Sequence, residues 1–530
     1  MQTPEIARPE RPWHTLTLEM PEARGQRLHF AWSFDPGDGG GEYPLRSEQA
    51  WFELPAGLQL DLLDEQALLV FALMLHWPLL NLVRPVRVRL PRRLPDAALE
   101  TVQRLCDLQR VTLARPGARA TLGASPLARR IEFVCSGAAA RTAPAPATRP
   151  GLASGMSGGK EALAQLFLAR AAGVPVLAVT TTSPQGAATE HTGPHRASTL
   201  SELSKVDGVT VVEVRSNVRE SYRNDFPRRL GHACWLTDLL DCQVYLLSCA
   251  AVARCSGVDA FGLGMEWEVA AARCAGGLPE PHPHVMYGPA TLAALSALLA
   301  PAGLRAESLL VPLPGSAVQR LLRRAFPDAL RLQASCYSAT DGARWCGRCP
   351  KCVRTAVFLA LDGGDPSDVG LDWGTVWRAG SLGLHRYVTK YGLLGSPRTV
   401  DAADRYLVEV LDAIHELPVG ATVRRLATAR SLGAADRARA LARYGTARLV
   451  YRPRPPRARA AARSFKPAAL AFVHPRYHRA LTHLLAEHGL QPDPTDIDAE
   501  ISCIDDMIAY VTSPMVPTTH APAWRAAFPG

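Results

Sequence analysis

Four cysteines, Cys336, Cys346, Cys349 and Cys352, stand within seventeen residues, the last three separated by two x2 spacings. Thiolates this close along the chain can surround one ion, and a tetrahedral set of four sulfurs suits structural zinc best. An iron–sulfur cluster, a disulfide pair or packed core thiols are the alternatives for the same pattern. Far upstream lies a second chemical group, Met156-Ser157-Gly158-Gly159-Lys160-Glu161-Ala162, which leads into a helical pattern over 163–172. A Ser-Gly-Gly turn at a helix start presents several backbone N–H groups in one concavity, and the helix dipole adds partial positive charge there. That place suits phosphate. Lys160 adds a mobile cation, and the Glu161 carboxylate can hold Mg2+ beside a phosphate. The spacing of a Walker loop is absent. A glycine turn that only caps a helix is the plain alternative.

The elements that must position these groups can be read from periodicity. Apolar runs at 174–182, 209–214 and 258–263 alternate with helical patterns at 160–172 and 236–253. Such alternation predicts a doubly wound parallel sheet, with ligands at the carboxyl ends of its strands. Polar groups close to those ends are the candidates for proton transfer: His232, Cys234 and Glu266, with Glu266 following an apolar strand. His282 and His284, set among prolines, read as loop residues. Before the sheet, alternating stretches at 14–19 and 27–34 read as strands, 64–82 as an apolar helix, Val86–Leu90 as a strand and 96–108 as a helix. This predicts an α+β N-terminal domain over 1–140, closed by an Ala/Pro/Thr-rich linker at 138–149. The parallel sheet with its cysteine knuckle spans 150–400. A helical C-terminal region with a basic linker occupies 401–530, including an amphipathic helix over 400–416.

Composition bounds the rest. The chain has 530 residues, 47% apolar and 20% charged, which is a globular balance. Residues 424–466 hold twelve arginines and one lysine against one acid, Asp436; the chain total is +10, so the remainder sums to about −2. With five lysines in the whole chain, the arginine content reads as a general compositional bias. The basic segment therefore reads as a solvated linker in preference to an RNA platform, and residues 452–459 are too proline-rich for a helix. The most apolar run, 67–83, is broken by His76, Pro78 and Asn81, so it predicts a buried helix and no membrane insertion. Twelve cysteines without a secretion signal point to a reducing, cytoplasmic setting.

Ser157-Gly158-Gly159, with an acid at position 161, resembles the loop of the PP-loop ATP pyrophosphatase superfamily, whose pattern is Ser-Gly-Gly-x-Asp-Ser. Here Glu161 replaces the Asp and Ala162 the final Ser. The pairing of this loop with Ser335-Cys336-Tyr337 and a C-x2-C-x2-C run resembles 7-cyano-7-deazaguanine synthase. A closer resemblance is to the UDP-N-acetylmuramoyl-L-alanyl-L-glutamate epimerase family, through Arg344-Trp345-Cys346-Gly347-Arg348-Cys349-Pro350-Lys351-Cys352, Glu65-Gln66-Ala67-Leu68, Gly231-His232 with Thr237, Glu266 and Ser308-Leu309-Leu310. It spans about residues 60–365.

The resemblance implies a PP-loop (HUP-like) fold that binds ATP and Mg2+ at Ser157, Gly158, Gly159, Lys160 and Glu161, with adenine held at the strand end near Thr181. It implies adenylation of the terminal carboxylate of a peptidyl-nucleotide substrate, inversion of its α-carbon, and release of AMP and pyrophosphate in peptidoglycan biosynthesis. An amide or nitrile synthase, a tRNA-modifying enzyme and a nucleotide-binding protein without turnover are the competing readings.

Overall fold

The computed structural model describes residues 14–35, 50–76, 80, 86–113, 131–142, 148–184, 193–218, 220, 236–267, 274–275, 278–279, 288–336, 339, 343–347, 349–378, 405–429, 431–461, 463–490 and 492. The chain opens with β1 (His14–Leu18), β2 (Glu22–Arg24), β3 (Arg27–Phe30), β4 (Trp32–Asp35) and β5 (Ala50–Glu53). There follow α1 (Glu65–Leu75), β6 (Val86–Leu90), α2 (Asp96–Leu113) and β7 (Ile131–Cys135). Strands and helices then alternate: β8 (Arg149–Gly155), α3 (Lys160–Ala171), β9 (Val176–Thr182), α4 (Gly193–Leu203), β10 (Val209–Ser216), α5 (Leu236–Cys255), β11 (Val258–Gly262), α6 (Pro289–Leu299) and β12 (Arg305–Ala306). The remainder is helical: α7 (Gly315–Ala325), α8 (Pro327–Leu332), α9 (Pro350–Leu361), α10 (Trp373–Arg378), α11 (Arg405–Glu416), α12 (Val419–Ala427), α13 (Ala434–Val450), α14 (Pro456–Ala461) and α15 (Pro475–Glu487).

The main sheet runs β12-β11-β8-β9-β10-β5-β3-β2. Its first five strands are parallel. The earliest of them, β8, lies in their middle. β9 and β10 add on one side, β11 and β12 on the other, so the winding reverses beside β8. In open parallel sheets ligands bind outside the carboxyl ends at such a reversal. A second, mixed sheet runs β4-β1-β6-β7.

The pleat sends alternate side chains of the parallel strands into two cores. Ala153, Val179, Val214 and Phe261 join α1, α2, α5 and α6 on one face. Leu152, Ala178, Val209 and Ala260 join α3, α7, α9, α11 and α13 on the other. α3 is buried nearly all round, from Lys160 to Ala169, which explains its lack of a polar stripe.

Three sequence expectations need correction. The first 140 residues are not a separate unit, because β2, β3 and β5 extend the main sheet. β5 pairs antiparallel with β10 through Arg215↔Glu53 and Ser216↔Phe52, covering what would otherwise be an open edge. The linker expected at 138–149 gives way at its end to β8, the middle strand of the parallel set, with the sequence Arg-Pro-Gly-Leu-Ala-Ser-Gly. Its glycines are required by close packing: a Cβ on Gly151 would lie 2.6 Å from Val258 Cγ1, and one on Gly155 2.2 Å from Leu263 Cδ2.

The basic segment 424–466 is not a solvated linker either. It forms α13 and α14, with Tyr444, Tyr451 and Phe465 buried, and α14 falls partly within the proline-rich stretch. Several of its arginines are engaged inside the fold, while Arg424, Arg439, Arg452 and Arg457 are exposed. Arg454 pairs with Asp412, Arg459 and Arg463 with Glu416, and Arg448 donates to the carbonyls of Ile414 and His415, capping the end of α11. Among the described residues no helix is long and apolar enough to cross a membrane.

Candidate functional site: loop, charge cluster and cysteine knuckle

Past the end of β8, the Met156 N–H still bonds to the Val179 carbonyl at 2.7 Å. Ser157 and Gly158 then leave the sheet, with Gly158 at φ +78°, a conformation that favours glycine. Gly159 caps α3 without a side-chain cap, and Glu161 stands in the first turn of the helix. The Gly159 N–H donates to Ser157 Oγ at 3.3 Å. Residues 333–336 run alongside. The Ala334 N–H donates to the Gly158 carbonyl at 2.8 Å, and the Lys160 N–H to Ser335 Oγ at 3.3 Å. The loop thus rests on the segment that leads into Cys336, at the carboxyl end of β8 where the winding reverses.

Beneath the loop is a cluster of charges. Lys160 Nζ lies 2.7 Å from Glu161 and is hydrogen-bonded to Glu266 Oε2. Arg354 Nη2, from α9, bonds to Glu266 Oε1 and lies 3.4 Å from Glu409 of α11. Glu409 also accepts from the Ser316 N–H, at the start of α7, at 3.3 Å. Lys160, Glu266 and Glu409 are all buried; Glu161 is partly exposed. Burial disfavours the charged lysine, but attraction to Glu161 and Glu266 outweighs it and raises the Lys160 pKa. Burial likewise works against ionised Glu161, yet Lys160 and Arg354 pull its carboxyl down to about 2. Glu409 is pushed up by its burial and by Glu266, against the pull of Arg354.

The sequence candidates among the described residues can now be placed. Ser157, Gly158, Gly159, Lys160 and Glu161 come together with Glu266, but Glu266 is not arranged as a base. Both its oxygens are taken, one by each cation, and the cluster leaves it 2% exposed. It acts instead as a buried bridge. Thr181 lies at the end of β9, its carbonyl accepting from Arg196 Nη2 at 3.3 Å. The hydroxyls of Thr180 and Thr181 are buried and make no hydrogen bond among the described residues. His232 and Cys234, together with Gly231, His282 and His284, fall outside the described residues.

Arg354 and Glu409 were not anticipated from sequence. The available signals were the position of Arg354 two residues beyond a metal-type cysteine and an acid, Glu409, among the apolar residues of α11.

Packing around the cluster is close. A Cβ on Gly315 would lie 1.9 Å from Arg354 Nη2 and 2.6 Å from Glu266 Oε2. Gly315→Ala is expected to destabilise the fold by about 1–3 kcal/mol. Denaturant unfolding measures this, and an unchanged midpoint would mean that α7 shifts freely away from the cluster.

The sulfur atoms of Cys336, Cys346, Cys349 and Cys352 all lie within 4.8 Å of one another. Separations of 3.8 Å (336–349), 3.8 Å (346–352) and 3.5 Å (349–352) are too long for disulfides. They match the edge of a tetrahedron whose corners stand about 2.3 Å from a central zinc, an edge of about 3.8 Å. An iron–sulfur core would force the thiolates farther apart. The Cys346 N–H donates to Cys336 Sγ at 3.4 Å and the Cys349 N–H to Cys346 Sγ at 3.2 Å, contacts that favour thiolates. Cys349 caps α9, so the knuckle sets the start of the helix that carries Arg354.

Comparison of the chain with protein families, with curated proteins and with solved structures finds no match in any of the three.

Proposed function

We propose that the protein is an ATP-dependent enzyme that adenylates a carboxylate, with epimerisation of a peptidyl amino acid as its reaction. One observation carries the nucleotide reading: the Ser157–Lys160 loop stands at the carboxyl end of β8, where the sheet reverses, on a helix start with no side-chain cap. Backbone N–H groups and the dipole of α3 favour phosphate there. The hydroxyls of Thr180 and Thr181, at the end of the neighbouring strand and without a hydrogen bond among the described residues, offer polar contacts to a nucleotide. Strand order and loop position agree with the PP-loop resemblance, and the nearby cysteine knuckle agrees with the epimerase resemblance. Cys336, Cys346, Cys349 and Cys352 would hold zinc as a structural ion, and Glu161 is the carboxylate nearest to where Mg2+ would accompany the phosphates.

The chemistry follows from a charge problem. Removing an α-proton beside an ionised carboxylate places two negative charges together. If a carboxylate oxygen instead attacks the α-phosphorus of ATP, pyrophosphate leaves and an acyl adenylate forms. Its carbonyl can delocalise the carbanion. A base then takes the α-proton, the opposite face is reprotonated, and water releases AMP. With Glu266 committed to its cations, His232 and Cys234 are the proposed proton carriers. The pairing of Arg454, Arg459 and Arg463 with Asp412 and Glu416 leaves fewer of the 424–466 arginines to meet a tRNA.

The test is incubation of UDP-N-acetylmuramoyl-L-alanyl-L-glutamate with protein, ATP and magnesium in D2O, followed by mass spectrometry. The expected result is an ATP-dependent gain of one mass unit with AMP release. AMP without deuterium would move the reading to an amide- or nitrile-forming ligase. Neither product would remove this substrate.

A further inference from the structure

The charge cluster reaches beyond the sheet. Of its five members, Lys160 and Glu161 come from the loop helix, Glu266 follows β11, Arg354 comes from the knuckle helix, and Glu409 from α11 in the C-terminal region. Three carboxylates face Lys160 and Arg354, and the charge of Lys351 also reaches Glu161. A nucleotide would bring further negative charge to the loop directly above. It would also compete with Glu161 and Glu266 for the ammonium of Lys160. The cluster therefore has to loosen its hold on Lys160 for phosphate to gain it.

Arg354 decides how tight that hold is, because its one Nη2 group is shared between Glu266 and Glu409. The more Glu409 claims of Arg354, the more Glu266 must rely on Lys160. Glu409 is itself fixed by the Ser316 N–H at the α7 start and is buried, as are its chain neighbours Val408 and Val410.

Resting on the nucleotide reading above, we propose that Glu409 is a positioning residue for the phosphate loop. Through Arg354 and Glu266 it restrains Lys160, which makes the C-terminal helix α11 part of the nucleotide site. A purely structural Glu409 and a restraining Glu409 predict opposite results. Glu409→Gln keeps an oxygen for the Ser316 N–H but releases Arg354 to Glu266 and removes one negative charge. Nucleotide affinity should then rise, by about three- to tenfold for one charge acting across a protein interior. Arg354→Gln leaves Glu266 to Lys160 alone and should lower affinity by a similar factor. The double variant should bind like Arg354→Gln alone, since a residue that acts only through Arg354 has no effect once Arg354 is gone.

Titration calorimetry of the full chain with α,β-methylene-ATP and magnesium, alongside melting temperatures, makes the measurement. Tighter binding by Glu409→Gln and weaker binding by Arg354→Gln supports the relay, because damage to the fold does not tighten a site. Unchanged or weaker binding by Glu409→Gln, in a protein that otherwise binds the analogue, overturns the relay and leaves the nucleotide site standing. No binding by the unaltered protein overturns both together. If Glu409→Gln does not fold, Arg354→Gln carries the test, and unchanged affinity there refutes the proposal.

Discussion

Cys352→Ser is expected to abolish stoichiometric zinc binding and to weaken ATP binding about five- to a hundredfold, although the cysteine belongs to the knuckle and not to the loop. The size follows from the contacts between them. Cys336 anchors the segment whose Ala334 N–H reaches the Gly158 carbonyl and whose Ser335 hydroxyl accepts from Lys160. Two such hydrogen bonds are worth about 0.5–1.5 kcal/mol each. Losing them frees the loop to leave the conformation that presents its N–H groups. Losing the ion also unfastens the start of α9 and with it Arg354. Elemental analysis by plasma mass spectrometry measures the zinc, and equilibrium titration the nucleotide. A variant that lost zinc yet kept its ATP affinity would show that the knuckle and the loop are mechanically separate.

Lys160→Met is expected to destabilise the protein by about 3–5 kcal/mol, the cost of leaving a buried carboxylate without one of its partners. It should also stop ATP-to-AMP conversion. These two effects can be separated. In Lys160→Met/Glu266→Gln the stranded charge is gone, so most of the stability should return, while the cation that would meet phosphate is still missing. Chemical denaturation and AMP quantification by chromatography give the two readouts. Recovery of AMP formation in the double variant would reduce Lys160 to a structural ion-pair partner.

The parts of the molecule that were legible in sequence are those fixed by local chemistry. The α3 start at Lys160 followed from the Ser-Gly-Gly turn, and the cysteine cluster followed from its spacing. β9 and β11 are largely buried apolar runs and β10 alternates buried apolar with exposed positions, and each was recognised within a residue or two. What escaped was set by distant neighbours. β8 is a poor strand by propensity because Val258 and Leu263 press against it, and only small residues fit. Arg454, Arg459 and Arg463 looked unneutralised because their acids, Asp412 and Glu416, lie just upstream of the counted segment. Glu409 and Arg354 meet across a separation that no periodicity encodes. The candidate site was thus half readable: its phosphate-facing loop and metal-type thiols were evident, while the buried charges that hold Lys160 were not.

The pairing of β5 with β10 has a consequence for how the chain assembles. Ala50–Glu53 cannot complete its hydrogen bonds until Val209–Ser216 is available, well over a hundred residues later. On a ribosome adding roughly 5–20 residues per second, that early strand waits for many seconds with its edge exposed. Contacts so distant in sequence also slow folding, since a long loop must close before the pair is rewarded. The early strands are therefore where a nascent or refolding chain is most open to mispairing with a second copy, and where a holding chaperone would have most to protect.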